Sequence, residues 1–234
     1  MAPAPEAPGA RALFLWGAPG SVVESVAGVL GAVGGKLRPD RFTPNPPHDG
    51  LQNYHTPAAL ASGELKGETL IAEWRAGLPA RQAADGSLID WLLWWDNALL
   101  HALRPHLPEG LLLIAVRDPR DAFLDWLAFG SPAPLALTDL QAAAEWLAKS
   151  FIQIADLHAQ DLYPHRLIRM DAIKDDAAAV SSAIGEALGM QLPALPSSGN
   201  KRFPEGHWRH YAEALAGAFA ALTPVAVRLG YPES

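Results

Sequence analysis

Residues 111–125 read Leu-Leu-Leu-Ile-Ala-Val-Arg-Asp-Pro-Arg-Asp-Ala-Phe-Leu-Asp. The uninterrupted apolar run from Leu111 to Val116 suits a strand covered on both faces, as strands of a parallel sheet are. Pro119 cannot continue such a strand but is tolerated in the first turn of a helix. The stretch therefore predicts a buried strand, a turn carrying Arg117 and Arg120 at its carboxyl end, and a helix. That end of an open α/β sheet is where ligands bind, and two arginines there make a candidate anion site.

Working outward, three further apolar runs predict strands: Ala12 to Trp16, Thr69 to Trp74 and Arg166 to Met170. Helical patterns separate them, which implies an α/β fold with a parallel sheet flanked by helices. Residues 88–104 have apolar side chains all round and predict a buried helix, with Trp91, Trp94 and Trp95 as core. Ala142 to His158 is amphipathic, with Trp146, Leu147, Ile154 and Leu157 directed inward. Asp171 to Leu188 predicts another helix, closed by Gly189. Residues 38–57 contain five prolines, and they read as a long surface loop.

The chain has 234 residues and a formal net charge of −7. One domain over residues 11–234 is expected, preceded by an Ala/Pro-rich linker over 1–10. An acidic chain lacks the basic face that nucleic-acid binding needs. Cysteine is absent, so disulfides and thiolate chemistry are excluded and a cytoplasmic location fits. No apolar run reaches the roughly 20 residues of a membrane span.

A second turn follows the first strand. Gly17-Ala-Pro-Gly-Ser21 before a helix from Val22 is the layout in which backbone N–H groups and a helix dipole hold a phosphate. Ser21-Val-Val-Glu24 also has the form of a capping box, which would place a carboxylate where the anion would sit. Asp96 is a polar residue in an apolar stretch and a candidate general base, as is His48 in the proline-rich loop. The competing reading of Asp96 is a hydrogen bond that pins local structure. His207 and His210 lie three apart, without enough companions for a metal site. Lys201, Arg202 and Arg209 form a late basic loop suited to phosphate capture.

These segments resemble those of the sulfotransferase family, including its tyrosylprotein and TPR-associated members. Arg117-Asp-Pro-Arg-Asp121 is similar to the family's 3′-phosphate segment, in which a serine stands where this chain has Asp125. Gly17, Pro19 and Ser21 match the 5′-phosphosulfate loop, with Gly20 at the place of its basic residue and Val23 and Glu24 at its two threonines. Trp95-Asp96-Asn97, His165 to Asp171, and Asn200 to Trp208 with Lys201, Arg202, Gly206 and Trp208 resemble later family segments in order.

The resemblance implies the P-loop-like sulfotransferase fold and an ancestral transfer of a sulfuryl group from 3′-phosphoadenosine-5′-phosphosulfate. Gly17, Pro19, Gly20, Ser21, Arg117, Asp125, Lys201, Arg202, Gly206 and Trp208 would then surround the donor. Gly20, Val23 and Asp125 each remove or oppose a donor contact. The leading expectation is a domain with lost or altered donor use that serves as a binding or scaffolding module, for a protein partner or a linked upstream domain. Two enzyme readings stand beside it: an active sulfotransferase acting on a hydroxyl or amine, and another nucleotide-phosphate enzyme. Two structural expectations follow. The Gly17 and Arg117 turns should share one edge of adjacent strands, and Arg117 should be tied to Asp121 or Asp125. Restoring Gly20→Arg, Val23→Thr and Glu24→Thr is expected to strengthen nucleotide binding.

Overall fold

The computed structural model describes residues 12–32, 51, 53, 55–76, 88–130, 139–189, 191–192 and 202–234. Among them four parallel strands form one sheet in the order β2-β1-β3-β4, with β1 Ala12–Gly17, β2 Leu88–Trp91, β3 Leu111–Val116 and β4 His165–Arg169. Leu13 pairs with Leu111 and Gly17 with Ala115, so β1 and β3 are neighbours in parallel register. Their following turns therefore leave the same edge, as the sequence predicts. The chain steps from β1 outward to β2, then returns across β1 to β3 and β4. The reversal lies between β1 and β3, the switch point at which α/β sheets open a crevice.

Alternation along the strands divides the core. Leu13, Leu15, Leu111, Leu113 and Ala115 face α1 (Val23–Ala32) and α7 (Ala177–Leu188). Phe14, Trp16, Leu112, Ile114 and Val116 face the opposite layer, where Leu147, Phe151 and Leu222 complete the core. That layer includes α3 (Gly67–Ala76), α4 (Leu100–His106), α5 (Pro119–Phe129), α6 (Leu140–Ala159) and α8 (Ala216–Arg228). A shorter helix, α2, spans Thr56–Ser62. Two-sided burial explains why β1 and β3 are apolar at every position.

Three expectations are corrected. Thr69 to Trp74 is part of helix α3, because Leu70, Ile71 and Trp74 are buried while Thr69, Ala72 and Glu73 are exposed, a helical and not an alternating spacing. The second strand lies instead at the start of the stretch expected to be one helix over 88–104. Leu88 to Trp91 pairs with Ala12 to Leu15, and helix resumes only at Asn97–Leu99, a 3-10 turn leading into α4. Within β2, buried Asp90 accepts the Trp74 indole N–H at 2.7 Å, a polar contact that ties α3 to the sheet. Finally, α7 begins at Ala177, where the Asp176 carboxylate accepts the N–H groups of Ala178 and Ala179. Asp171 is thereby left outside the helix with other partners. Gly189 closes α7 in the left-handed conformation, as expected.

Candidate functional site

The β1 loop is built around an unusual backbone. Ser21 N–H closes a tight turn on the Ala18 carbonyl at 3.0 Å, and Gly20 and Val22 adopt φ of 77° and 57°. Positive φ is ordinary for glycine but strained for a β-branched valine. With Val22 turned this way, α1 starts at Val23 and Ser21 is displaced from the capping position. The expected capping box is absent: the Ser21 hydroxyl is fully buried with no hydrogen-bond partner, and Glu24 is exposed. Gly17 lets α1 approach the sheet, since a Cβ there would lie 2.9 Å from that of Val23 and 3.2 Å from that of Ala115. Pro19 is buried beside it.

Gly20 packs directly on α5. A Cβ on this residue would stand 1.9 Å from the carbonyl oxygen of Ala122. No side chain fits there unless the loop or helix moves, so the expectation that Gly20→Arg would restore a donor contact is corrected by the fold itself. The loop lies against α5 where the family resemblance would put a cation.

Arg117 and Arg120, expected to face an anion, are both completely buried and already engaged. Arg117 forms an ion pair with Asp125 through Nη1, which also donates to the Gly20 carbonyl at 3.2 Å. Its Nη2 donates to the Phe203 carbonyl at 3.1 Å, and the other oxygen of Asp125 accepts the Phe203 N–H at 3.0 Å. Arg117 Nε alone has no partner. The pair thus clamps the β1 loop, α5 and the late loop together. Arg120 donates from Nε and Nη2 to both oxygens of Asp118, at 3.0 and 2.7 Å, from Nη1 to the Glu233 carbonyl and from Nη2 to the Pro232 carbonyl. Its guanidinium lies 3.8 Å from the centre of the Trp208 ring.

Asp121 holds the late loop from the other side, accepting the N–H groups of Gly206 at 2.6 Å and Trp208 at 2.8 Å. Burial pushes its carboxyl above the usual range, partly offset by those two backbone bonds. Asp171 accepts the Asp118 N–H and the Tyr231 hydroxyl at 2.9 and 2.8 Å, which pins the C-terminal segment over the same turn. Across this cluster two buried guanidiniums face the four buried carboxylates Asp118, Asp121, Asp125 and Asp171. The local balance opposes an incoming phosphate.

Of the late loop, Arg202 is half-buried with its guanidinium 5.2 Å from the Phe129 ring. Gly206 and Trp208 are fixed by Asp121, so they join the arginine cluster as packing partners. Lys201 and His48 lie outside the described residues. His207 stacks on Phe203 with ring centres 4.5 Å apart, and no group of three or more potential metal ligands occurs among the described residues.

Asp96 belongs to a different place. Its carboxylate caps the 3-10 turn by accepting the Ala98 N–H at 2.8 Å. Asn97 fastens this turn to α6: its N–H donates to Gln153 Oε1 at 3.0 Å, its amide donates to the Gln153 carbonyl at 3.2 Å, and its Oδ1 accepts the Trp95 indole N–H at 2.7 Å. Half-buried Asp96 borders a cleft of about 590 Å³ together with Trp94, Trp95, Trp146, Lys149, Ser150 and Gln153. Sequence reasoning missed this site. Its signal is the spacing 146, 149, 150, 153, a half-buried to exposed stripe along α6 beside the core stripe of Ala143, Leu147 and Ile154.

No protein-family model matches the chain, and no curated protein matches its sequence. Among solved structures, the sulfotransferase from Alicyclobacillus acidocaldarius aligns over 93% of this chain and 96% of its own, with a TM-score of 0.49 and 14% sequence identity.

Proposed function

We propose that the chain is a sulfotransferase-like domain that does not use 3′-phosphoadenosine-5′-phosphosulfate and acts as a binding or scaffolding module. The observation that carries this reading is the buried Arg117–Asp125 pair at the β1/β3 switch point, with the Gly20 carbonyl on the same guanidinium. A donor phosphate would have to displace a carboxylate that cannot leave to solvent. That exchange strands a buried charge, which is costly. The loop offers no compensation, because Gly20 has no room for a cation and the Ser21 hydroxyl is enclosed. Ordered sequence resemblance from the β1 loop to the late loop supports the ancestry, and the filled switch point supports the loss.

Titration calorimetry with 3′-phosphoadenosine-5′-phosphate tests the reading. Neither saturable heat nor a rise in melting temperature is expected up to about 1 mM nucleotide. Micromolar binding that disappears in Arg117→Met would overturn it and restore the active-enzyme reading. In that case Asp96 would be the side chain to examine for proton transfer to and from an acceptor hydroxyl.

A further inference from the structure

We propose that the cleft between α2, the 3-10 turn at Asn97–Leu99 and α6 binds a neutral saccharide. This does not rest on the reading of the switch point, which uses other residues. Half-buried Trp94 and Trp146 line the cleft over the buried Trp95, with Pro57 and Ala58 contributed by α2. Flat aromatic faces suit the C–H face of a pyranose, and the cleft volume of about 590 Å³ lies in the range of small-molecule sites.

The polar groups select among apolar ligands and hydroxylated ones. Asp96 supplies an acceptor, Lys149 a donor, Ser150 a group that does both, and Gln153, whose Oε1 already takes the Asn97 N–H, its amide NH2. Adjacent hydroxyls, each able to donate and accept, answer such a mixed set. One carboxylate and one ammonium leave the cleft without net charge, so neither an anion nor a cation is favoured. The floor is held in place before any ligand arrives, because Asn97 joins Trp95 to Gln153 through three hydrogen bonds. Preorganisation of this kind lowers the cost of binding. The cleft also lies near the carboxyl edge of the sheet: Trp95 packs 6.3 Å from Trp16, the residue before Gly17.

Tryptophan fluorescence and saturation-transfer NMR with cellobiose, maltose and N,N′-diacetylchitobiose test the proposal on the full chain. At least one of the three is expected to saturate. Lys149→Ala and Asp96→Asn should each weaken that sugar by about tenfold, the scale of one lost charge-assisted hydrogen bond. Asp96→Asn retains an oxygen to cap Ala98, and Lys149 is exposed, so both variants should fold. Trp146→Ala should abolish binding, with circular dichroism checking that loss of its contact to Trp126 leaves the fold intact. Gln141→Ala, at the exposed start of α6, should change nothing. Failure of all three sugars to bind at about 20 mM, binding indifferent to Asp96→Asn and Lys149→Ala, or preference for tetramethylammonium or free amino acids over sugars would each overturn the proposal. None of those results would alter the nucleotide measurement.

Discussion

Arg117 and Asp125 stand eight residues apart, one in the turn after β3 and the other two helical turns into α5, and they meet as an ion pair from which solvent is wholly excluded. Both carboxylate oxygens and two of the three guanidinium nitrogens have partners, drawn from α5, the β1 loop and Phe203. The pair joins three segments distant in sequence at the one place where an α/β sheet ordinarily opens to a ligand.

Breaking this pair from either side should be worse than removing it whole. Asp125→Ala leaves a buried guanidinium unneutralised and is expected to cost about 3–5 kcal/mol in urea unfolding. Arg117→Met with Asp125→Leu removes both charges and should be less destabilising than the sum of the single changes. A double-mutant cycle showing strict additivity would mean that the two side chains do not act as a unit.

Gly20 and Gly63 form a matched pair for separating backbone strain from steric exclusion. They have nearly equal φ, 77° and 78°, but a Cβ on Gly63 meets nothing within 4 Å, whereas on Gly20 it collides with the Ala122 carbonyl. Gly63→Ala should lose about 1 kcal/mol, the cost of a left-handed L-residue. Gly20→Ala should lose at least about 2 kcal/mol more, because a packed backbone must move. Equal losses in thermal or urea unfolding would show that the loop is not pressed against α5.

Much of this arrangement was legible in the sequence. Continuous apolar runs marked β1 and β3, since two-sided burial leaves no alternation to misread, whereas β4 showed only Leu167 and Ile168 between exposed arginines. β2 was hidden because Leu88 to Trp91 runs without punctuation into the apolar residues of the following turn and α4. Thr69 to Trp74 was ambiguous for the opposite reason: six residues accommodate either period, and only the burial of Leu70, Ile71 and Trp74 decides. Asp125 in place of a serine pointed to a pair with Arg117. The exclusion at Gly20 could not be read, because it depends on how closely α5 approaches a loop about a hundred residues earlier. Helical spacing places Trp146 with Leu147 and Ile154 on the inward side, but the structure leaves it half-buried at the cleft beside Lys149 and Ser150.

Asp121 gives a pH dependence of definite sign. Burial raises its folded-state pKa above the unfolded value, so the native state binds its proton more tightly than the unfolded chain does. Its contribution to stability is therefore fully present below the unfolded carboxylate pKa near 4 and is lost as pH rises through the folded value. The difference in unfolding free energy between the parent and Asp121→Asn should shift against the parent as pH increases from about 4. A difference that stays flat or moves the other way would mean that the two backbone N–H bonds outweigh desolvation.

Tyr163 and Tyr231 should resist ionisation until the protein unfolds. Tyr163 is buried and donates to the Leu107 carbonyl at 2.6 Å, and burial pushes its pKa well above the ordinary tyrosine value. Tyr231 is raised by burial and then by the Asp171 carboxylate to which it donates at 2.8 Å. For both, the folded pKa exceeds the unfolded value near 10, so the stability they contribute is present below that pH and is lost as pH rises above it. Absorbance titration at the phenolate band should show their ionisation coinciding with loss of circular dichroism in one alkaline transition. In Tyr231→Phe the Asp171 carboxylate keeps only its bond from the Asp118 N–H, which should cost about 1–3 kcal/mol at neutral pH and loosen the C-terminal segment over Arg120. Faster amide exchange at residues 229–233 should accompany that loss. If Tyr231 instead ionises reversibly near pH 10 while the fold is intact, the segment does not lie over the arginine turn, and Arg120 is free to meet a ligand.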